Sequence, residues 1–107
     1  ALSGKYLGDR MPEGSRLSLF PQYNRYIGKT AVEATKKYYE LAQANGLTLA
    51  QMALAFVNTR PFVTSTIIGA TSMRQLEENI GSIDVNLSED IIEKIEAIHN
   101  SIPNPAP

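Results

Sequence analysis

Ile67-Ile68-Gly69-Ala70-Thr71-Ser72 runs into residues patterned as a helix, and this passage is where the sequence carries its clearest chemistry. A helix N-terminus presents unpaired backbone N–H groups and a partial positive charge, so it attracts phosphate. Gly69 lets a ligand approach the backbone, and Thr71 and Ser72 add hydroxyls. Arg74 adds a cation suited to a phosphate. Gln75, Glu78 and Asn79 stand at i, i+3 and i+4 and share one polar face behind the phosphate position, a face that fits the edge of an adenosine. The same residues also make an ordinary capped amphipathic helix with a solvated polar side. Two further spots place a cation after small residues, as a pyrophosphate site would: Ser3-Gly4-Lys5 and Gly14-Ser15-Arg16. Neither has the spacing of a P-loop, and no Gly-x-Gly-x-x-Gly fingerprint is present.

Other chemistry is poorly supported. His99 is the single histidine, and its place near the end of a helical pattern suits the helix dipole rather than catalysis. No catalytic residue and no metal ligand set are assigned. With no cysteine, disulfides and thiolate metal sites are excluded. The formal net charge of -1 argues against a general nucleic-acid or membrane-surface binder. No apolar run approaches the roughly 20 residues of a membrane span, and no signal peptide pattern opens the sequence, so a cytoplasmic location is expected.

The elements that must position these residues follow from periodicity and caps. Residues 1–29 are broken up by Gly4, Gly8, Pro12, Gly14, Pro21 and Gly28 and read as a long loop, with Phe20, Tyr23 and Tyr26 expected to pack on something. A helix is expected from Thr30, its N-cap, to about Asn45, with Gly46 as its stop and Val32, Thr35, Tyr38, Tyr39 and Ala42 along one stripe. Thr48 and Gln51 form a capping box for a second helix, which is apolar on nearly every side to Val57 and ends before Pro61. Val63–Ile68 is dominated by β-branched residues and reads as a strand. Ser72 and Gln75 are expected to form a second capping box, with Met73, Leu76 and Ile80 toward a core and Gly81 closing the helix. A last helix over 88–102 starts with Glu89 and Asp90 and carries Ile91, Ile95, Ile98 and Ile102, followed by an extended proline-rich tail. One strand alone cannot make a sheet. Either the chain is a helical domain with one extended segment, or its strand belongs to a sheet whose other strands lie elsewhere.

Three stretches then resemble a known family: Leu2-Ser3-Gly4-Lys5-Tyr6, Leu47 through Ala55, and Ile68 through Ile80. Together they look like the C-terminal part of an aldo-keto reductase, of the bacterial branch similar to the potassium channel β subunits. The resemblance runs the length of the chain. It implies an α/β fold, the C-terminal portion of a (β/α)8 TIM barrel, with this chain a single segment, mostly helical, that supplies one barrel strand at 63–68. Residues 1–28 would be the cofactor loop after strand seven, 30–58 two helices, 72–81 the cofactor helix and 88–102 the C-terminal helix.

The implied activity is NADPH-dependent reduction of aldehydes and ketones by hydride transfer. Gly69 and Thr71 would approach the adenosine 2′-phosphate, with Arg74 beside them. Gln75, Glu78 and Asn79 would line the adenine, and Lys5, Ser15 and Arg16 would meet the cofactor phosphates. Some branches carry a lysine and a serine where this chain has Gly69 and Ala70, which leaves the preference between NADPH and NADH open. The family's catalytic residues map to none of these positions, and a complete barrel takes about 250 residues, so the chain alone is expected to be inactive and to pack with the rest of a barrel or with itself. The rival expectation is a helical protein-interaction module that binds no nucleotide.

Overall fold

Caps and turns that satisfy the backbone locally set the helices of this chain, seen here in a computed structural model that describes residues 2–8 and 10–107. The elements are α1 (Arg16–Leu19), a 3-10 turn at Asn24–Ile27, α2 (Lys29–Ala44), α3 (Leu49–Asn58), α4 (Met73–Gly81), a 3-10 turn at Ser82–Asp84, and α5 (Glu89–Ser101).

The loop expected over 1–28 thus contains two short helical pieces. Its first position and residue 9 lie outside the described residues. Phe20 and Tyr23 meet edge to face with ring centroids 6.2 Å apart, and with Tyr26 they remain about half exposed.

Helix α2 begins at Lys29 with Gly28 as its cap, so Thr30 lies inside the first turn rather than capping it. Its buried stripe is Ala31, Ala34, Thr35 and Ala42, while Tyr39 of the expected stripe is 41% exposed. The buried Thr35 hydroxyl is satisfied by donating to the Ala31 carbonyl at 2.7 Å. The end of α2 is a Schellman turn. Gly46 adopts φ +68°, its N–H donates to Gln43 O, and Leu47 N–H donates to Ala42 O. Gly46 is needed there because a side chain is strained in the left-handed region.

The turn delivers the chain to Thr48, whose side chain accepts from Gln51 N–H while Gln51 Oε1 accepts from Thr48 N–H, both at 3.1 Å. This is the expected capping box. Leu49, Met52 and Ala55 of α3 are buried. Ser88 caps α5 by accepting from Ile91 N–H at 3.3 Å, and Glu89 and Asp90 occupy its first turn. The core lies where α2, α3 and α5 meet: Ala42, Leu49, Met52, Ile91 and Ile95, flanked by Tyr38, Leu41, Leu47, Phe56 and Leu87. Burying a side chain such as Met52 stabilises the fold by about 1.5–3 kcal/mol.

Outside that core the expected strand is not seen and the expected inner face of α4 is largely exposed. Residues 63–68 form no strand, with a bend at Thr64, because the backbone from Thr64 to Ala70 finds no partner strand among the described residues. A strand exists only as part of a ladder, and β-branched composition cannot supply the second edge. Helix α4 buries no side chain fully: Met73 is 67% and Ile80 59% exposed and do not face a core, and of the three expected there only Leu76 is half-buried. The apolar side of α4 has no sheet to cover. The proline-rich tail is tied back to the loop where Arg25 Nε donates to Ala106 O at 2.6 Å.

Candidate functional site

A cleft of about 360 Å³ forms where three separate parts of the chain converge. The loop contributes Ser3 and Lys5, the first turn of α3 contributes Ala50, and the exit segment with α4 contributes Gly69, Ala70, Thr71, Arg74, Gln75, Glu78 and Asn79. Gly4 turns the chain between Ser3 and Lys5 at φ +72°, and a Cβ there would stand 3.7 Å from Leu49 and Tyr39. A residue with a side chain is strained at that φ, so the glycine holds the loop in its course past α3.

Local bonding shapes the exit segment. Ser72 caps α4 by accepting from Gln75 N–H at 3.3 Å. The reciprocal half of the expected capping box is missing. Gln75 Oε1 instead accepts from Thr71 N–H at 2.8 Å and from the Thr71 hydroxyl at 3.0 Å. Asn79 Nδ2 donates to Gly69 O at 3.2 Å. The polar face of α4 therefore folds the Gly69–Thr71 turn back over the start of its own helix. Gly69 has nothing within 4 Å of the place its Cβ would take, so its backbone is open to an incoming group.

The charges are mixed and solvated. Lys5 and Arg74 bring two cations, and Glu78 one carboxylate. The Glu78 carboxylate accepts from the Thr48 hydroxyl, which ties α4 to the cap of α3. The arrangement can hold an anion near the cations and the first N–H groups of α4, and a hydrogen-bond donor at Glu78.

The structure brings together seven of the nine residues singled out in the sequence: Lys5, Gly69, Thr71, Arg74, Gln75, Glu78 and Asn79. Ser15 and Arg16 lie apart from them. Arg16 lines an adjoining hollow with Tyr6, Tyr23, Arg25 and Tyr26, and that hollow shares Ser3 and Lys5 with the cleft. Ser15 is the N-cap of α1 and is buried, with its Oγ enclosed. Sequence reasoning missed Ala50 as a cleft residue and Thr48 as a partner of Glu78. Their capping box is plain in the sequence, but its approach to α4 is a tertiary fact with no local signal.

Among the described residues no group of three or more His, Cys, Asp or Glu is arranged to hold a metal. Among the same residues no helix is long and apolar enough to cross a membrane.

Comparison with known proteins gives a consistent picture. Residues 1–100 match the model of the Aldo/keto reductase family. The chain is similar to "Protein tas" of Escherichia coli (strain K12), 48% identical over 106 residues, covering 99% of this chain and 31% of that protein. It is similar to a "Putative voltage-gated potassium channel subunit beta" of Schizosaccharomyces pombe, 37% identical over 109 residues, covering 95% of this chain and 31% of that protein. A second Schizosaccharomyces pombe protein, "Aldo-keto reductase yakc [NADP(+)]", is 31% identical over 102 residues, covering 94% of this chain and 30% of its own length. The chain spans about three-tenths of the length of these curated relatives.

Proposed function

The chain belongs to the aldo/keto reductase family, and on that footing we propose that it is the cofactor-holding C-terminal part of an NADP(H)-dependent oxidoreductase acting on small carbonyl compounds. One observation carries this reading: Lys5, far away in sequence, meets Gly69, Thr71, Arg74, Gln75, Glu78 and Asn79 around one cleft. A merely solvated helix face has no need of a cation delivered from a distant loop. The donor set fits the adenosine end of the cofactor. Lys5, Arg74 and the N-terminus of α4 suit the 2′-phosphate, the open backbone at Gly69 lets it approach, and Gln75, Glu78 and Asn79 offer donors and acceptors to a purine edge. Arg16 reaches the pyrophosphate, in this reading, from the adjoining hollow that shares Lys5, whereas Ser15 is enclosed at the start of α1 and does not line that hollow.

The cofactor supplies the hydride; this chain binds and orients its tail. The catalytic groups lie in other parts of a (β/α)8 barrel, in which residues 63–68 form the eighth strand and residues 1–28 the loop after the seventh. Three features support that placement: the β-branched segment 63–68 left without a ladder among the described residues, the outward apolar side of α4, and the share of its relatives' length that the chain spans. The location proposed is the cytoplasm. The rival interaction module is not favoured by the family match.

The test is titration of the full-length protein carrying these residues with NADPH and NADH, followed by fluorescence or calorimetry. Lys5→Ala and Arg74→Ala each weaken NADPH about fivefold more than NADH, the scale of one solvated charge-assisted contact. Absence of NADPH binding at millimolar cofactor defeats the reading.

A further inference from the structure

The Thr48–Glu78 contact assigns a role to a residue outside the cleft lining. Thr48 caps α3, and its hydroxyl is fully used: it accepts from Gln51 N–H at 3.1 Å and donates to the Glu78 carboxylate. The Gln51 side chain closes the box by accepting from Thr48 N–H. A capped helix end is among the more rigid anchors an exposed surface offers, and the positive end of the α3 dipole favours a carboxylate beside it. Glu78 is half-buried and lines the cleft, yet an anion there repels the phosphate that Lys5 and Arg74 attract. Its contribution must therefore go to a donor on the ligand. Of the donors at the adenosine end, the ribose 3′-hydroxyl lies beside the 2′-phosphate that a carboxylate repels, whereas the 6-amino group of the adenine lies away from it and offers N–H to a carboxylate acceptor.

We propose that Thr48 is a positioning residue for purine selection: its hydroxyl holds Glu78 so that the carboxylate accepts from the adenine 6-amino group. The inference rests on the cofactor reading above and goes beyond it. It makes the capping box of a neighbouring helix part of the recognition of the base.

The experiment compares two dinucleotides on the full-length protein by equilibrium titration: NADPH and its hypoxanthine counterpart, which has a carbonyl in place of the 6-amino group. Wild type binds NADPH more tightly. Thr48→Val, which neither caps nor donates, and Thr48→Asp, which still caps α3 but cannot donate to an ionised Glu78, both weaken NADPH about fivefold, as expected for one misplaced charge-assisted bond. Both leave the hypoxanthine dinucleotide unchanged or improved. Thr48→Ser restores wild-type discrimination, and Thr48→Val has no further effect in a Glu78→Ala background. Equal losses for both dinucleotides in Thr48→Val, or wild-type NADPH affinity in Thr48→Asp, overturn the assignment while leaving the cofactor reading intact. A wild-type protein that binds both dinucleotides equally also overturns it. A wild-type protein that binds neither overturns the cofactor reading itself.

Discussion

Replacing Gln75 by Glu sets folding and cofactor selectivity against each other. Gln75 is the third residue of α4, and its Oε1 accepts two hydrogen bonds from Thr71, at 2.8 and 3.0 Å. A carboxylate in its place keeps an acceptor for both, so the Gly69–Thr71 turn retains its shape. The first turn of α4 has no acidic residue of its own, so the new charge also complements the helix dipole by about 0.3–1 kcal/mol. Stability holds or rises.

Selectivity moves the other way. A phosphate held by Arg74 and the α4 N-terminus lies about one helical turn from position 75, roughly 6 Å. At that separation two unit charges repel by about 0.7 kcal/mol in water and about 2.8 kcal/mol at an effective dielectric of 20. The cleft is solvated, so a value near 1.4 kcal/mol is expected, about a tenfold loss of NADPH affinity. NADH lacks the 2′-phosphate and loses little. The assay is paired titration with NADPH and NADH, alongside thermal unfolding. A Gln75→Glu protein that weakens both cofactors equally, or that keeps wild-type NADPH affinity, refutes placing the 2′-phosphate at this helix start.

Four further outcomes test the fold. Met52 is 2% exposed at the centre of the core, so Met52→Ala lowers unfolding free energy by about 2–5 kcal/mol in urea titration. Ser88→Ala removes the cap of α5 and its bond to Ile91 N–H, a loss of about 1 kcal/mol by the same measurement. The Tyr38 phenol is pushed above its ordinary range, first by burial and then by the nearby Glu96 carboxylate. A raised folded-state value favours the neutral phenol, so its contribution is fully present below the ordinary tyrosine range and is lost as pH rises through the raised value; phenolate absorbance should show a phenol ionising above the ordinary tyrosine range that Tyr38→Phe removes, and the same substitution should flatten this part of the alkaline stability loss. Ile67 is 96% and Phe62 82% exposed, so residues 1–107 expressed by themselves should self-associate in sedimentation, and Ile67→Lys should reduce that association; a stable monomer at all concentrations contradicts the expectation.

Much of the helical fold is legible because its signals are local. The capping box at Thr48 and Gln51, the serine at 88 followed by two acids, and the glycine at 46 each satisfy backbone groups within a few residues, and each appears in the structure where the pattern puts it. Local signals also mislead. Ser72 and Gln75 have the spacing of a capping box, but a hydroxyl and an N–H at Thr71 compete for the Gln75 oxygen and hold it. The gathering of the cleft is partly legible, since the helix face at 74–79 follows from spacing alone. The arrival of Lys5 opposite that face, and of Thr48 against Glu78, depends on how the loop and α3 pack, and no pattern within either segment records it.

The segment 63–68 shows the same division more sharply. Val63–Ile68 has strand composition, yet the backbone from Thr64 to Ala70 makes no backbone–backbone hydrogen bond among the described residues. A side-chain contact holds part of it, Thr66 Oγ1 donating to Asn58 Oδ1 at 2.8 Å, and the Gly69 carbonyl is taken by Asn79. These bonds tie Thr66 to α3 and Gly69, just past the segment, to α4 without supplying a ladder. The cleft is built on the second of those anchors, at Gly69. Its geometry therefore depends on α4 more than on any sheet, whereas the apolar groups left outside at Ile67, Met73 and Ile80 are those a sheet and its covering helix would hide. In a barrel the same side chains would be enclosed, and the turn from Gly69 to Thr71 would gain a rigid strand behind it. Cofactor affinity is then expected to rise with whatever pairs residues 63–68, because an ordered strand removes the conformational freedom that the phosphate-binding turn otherwise loses on binding.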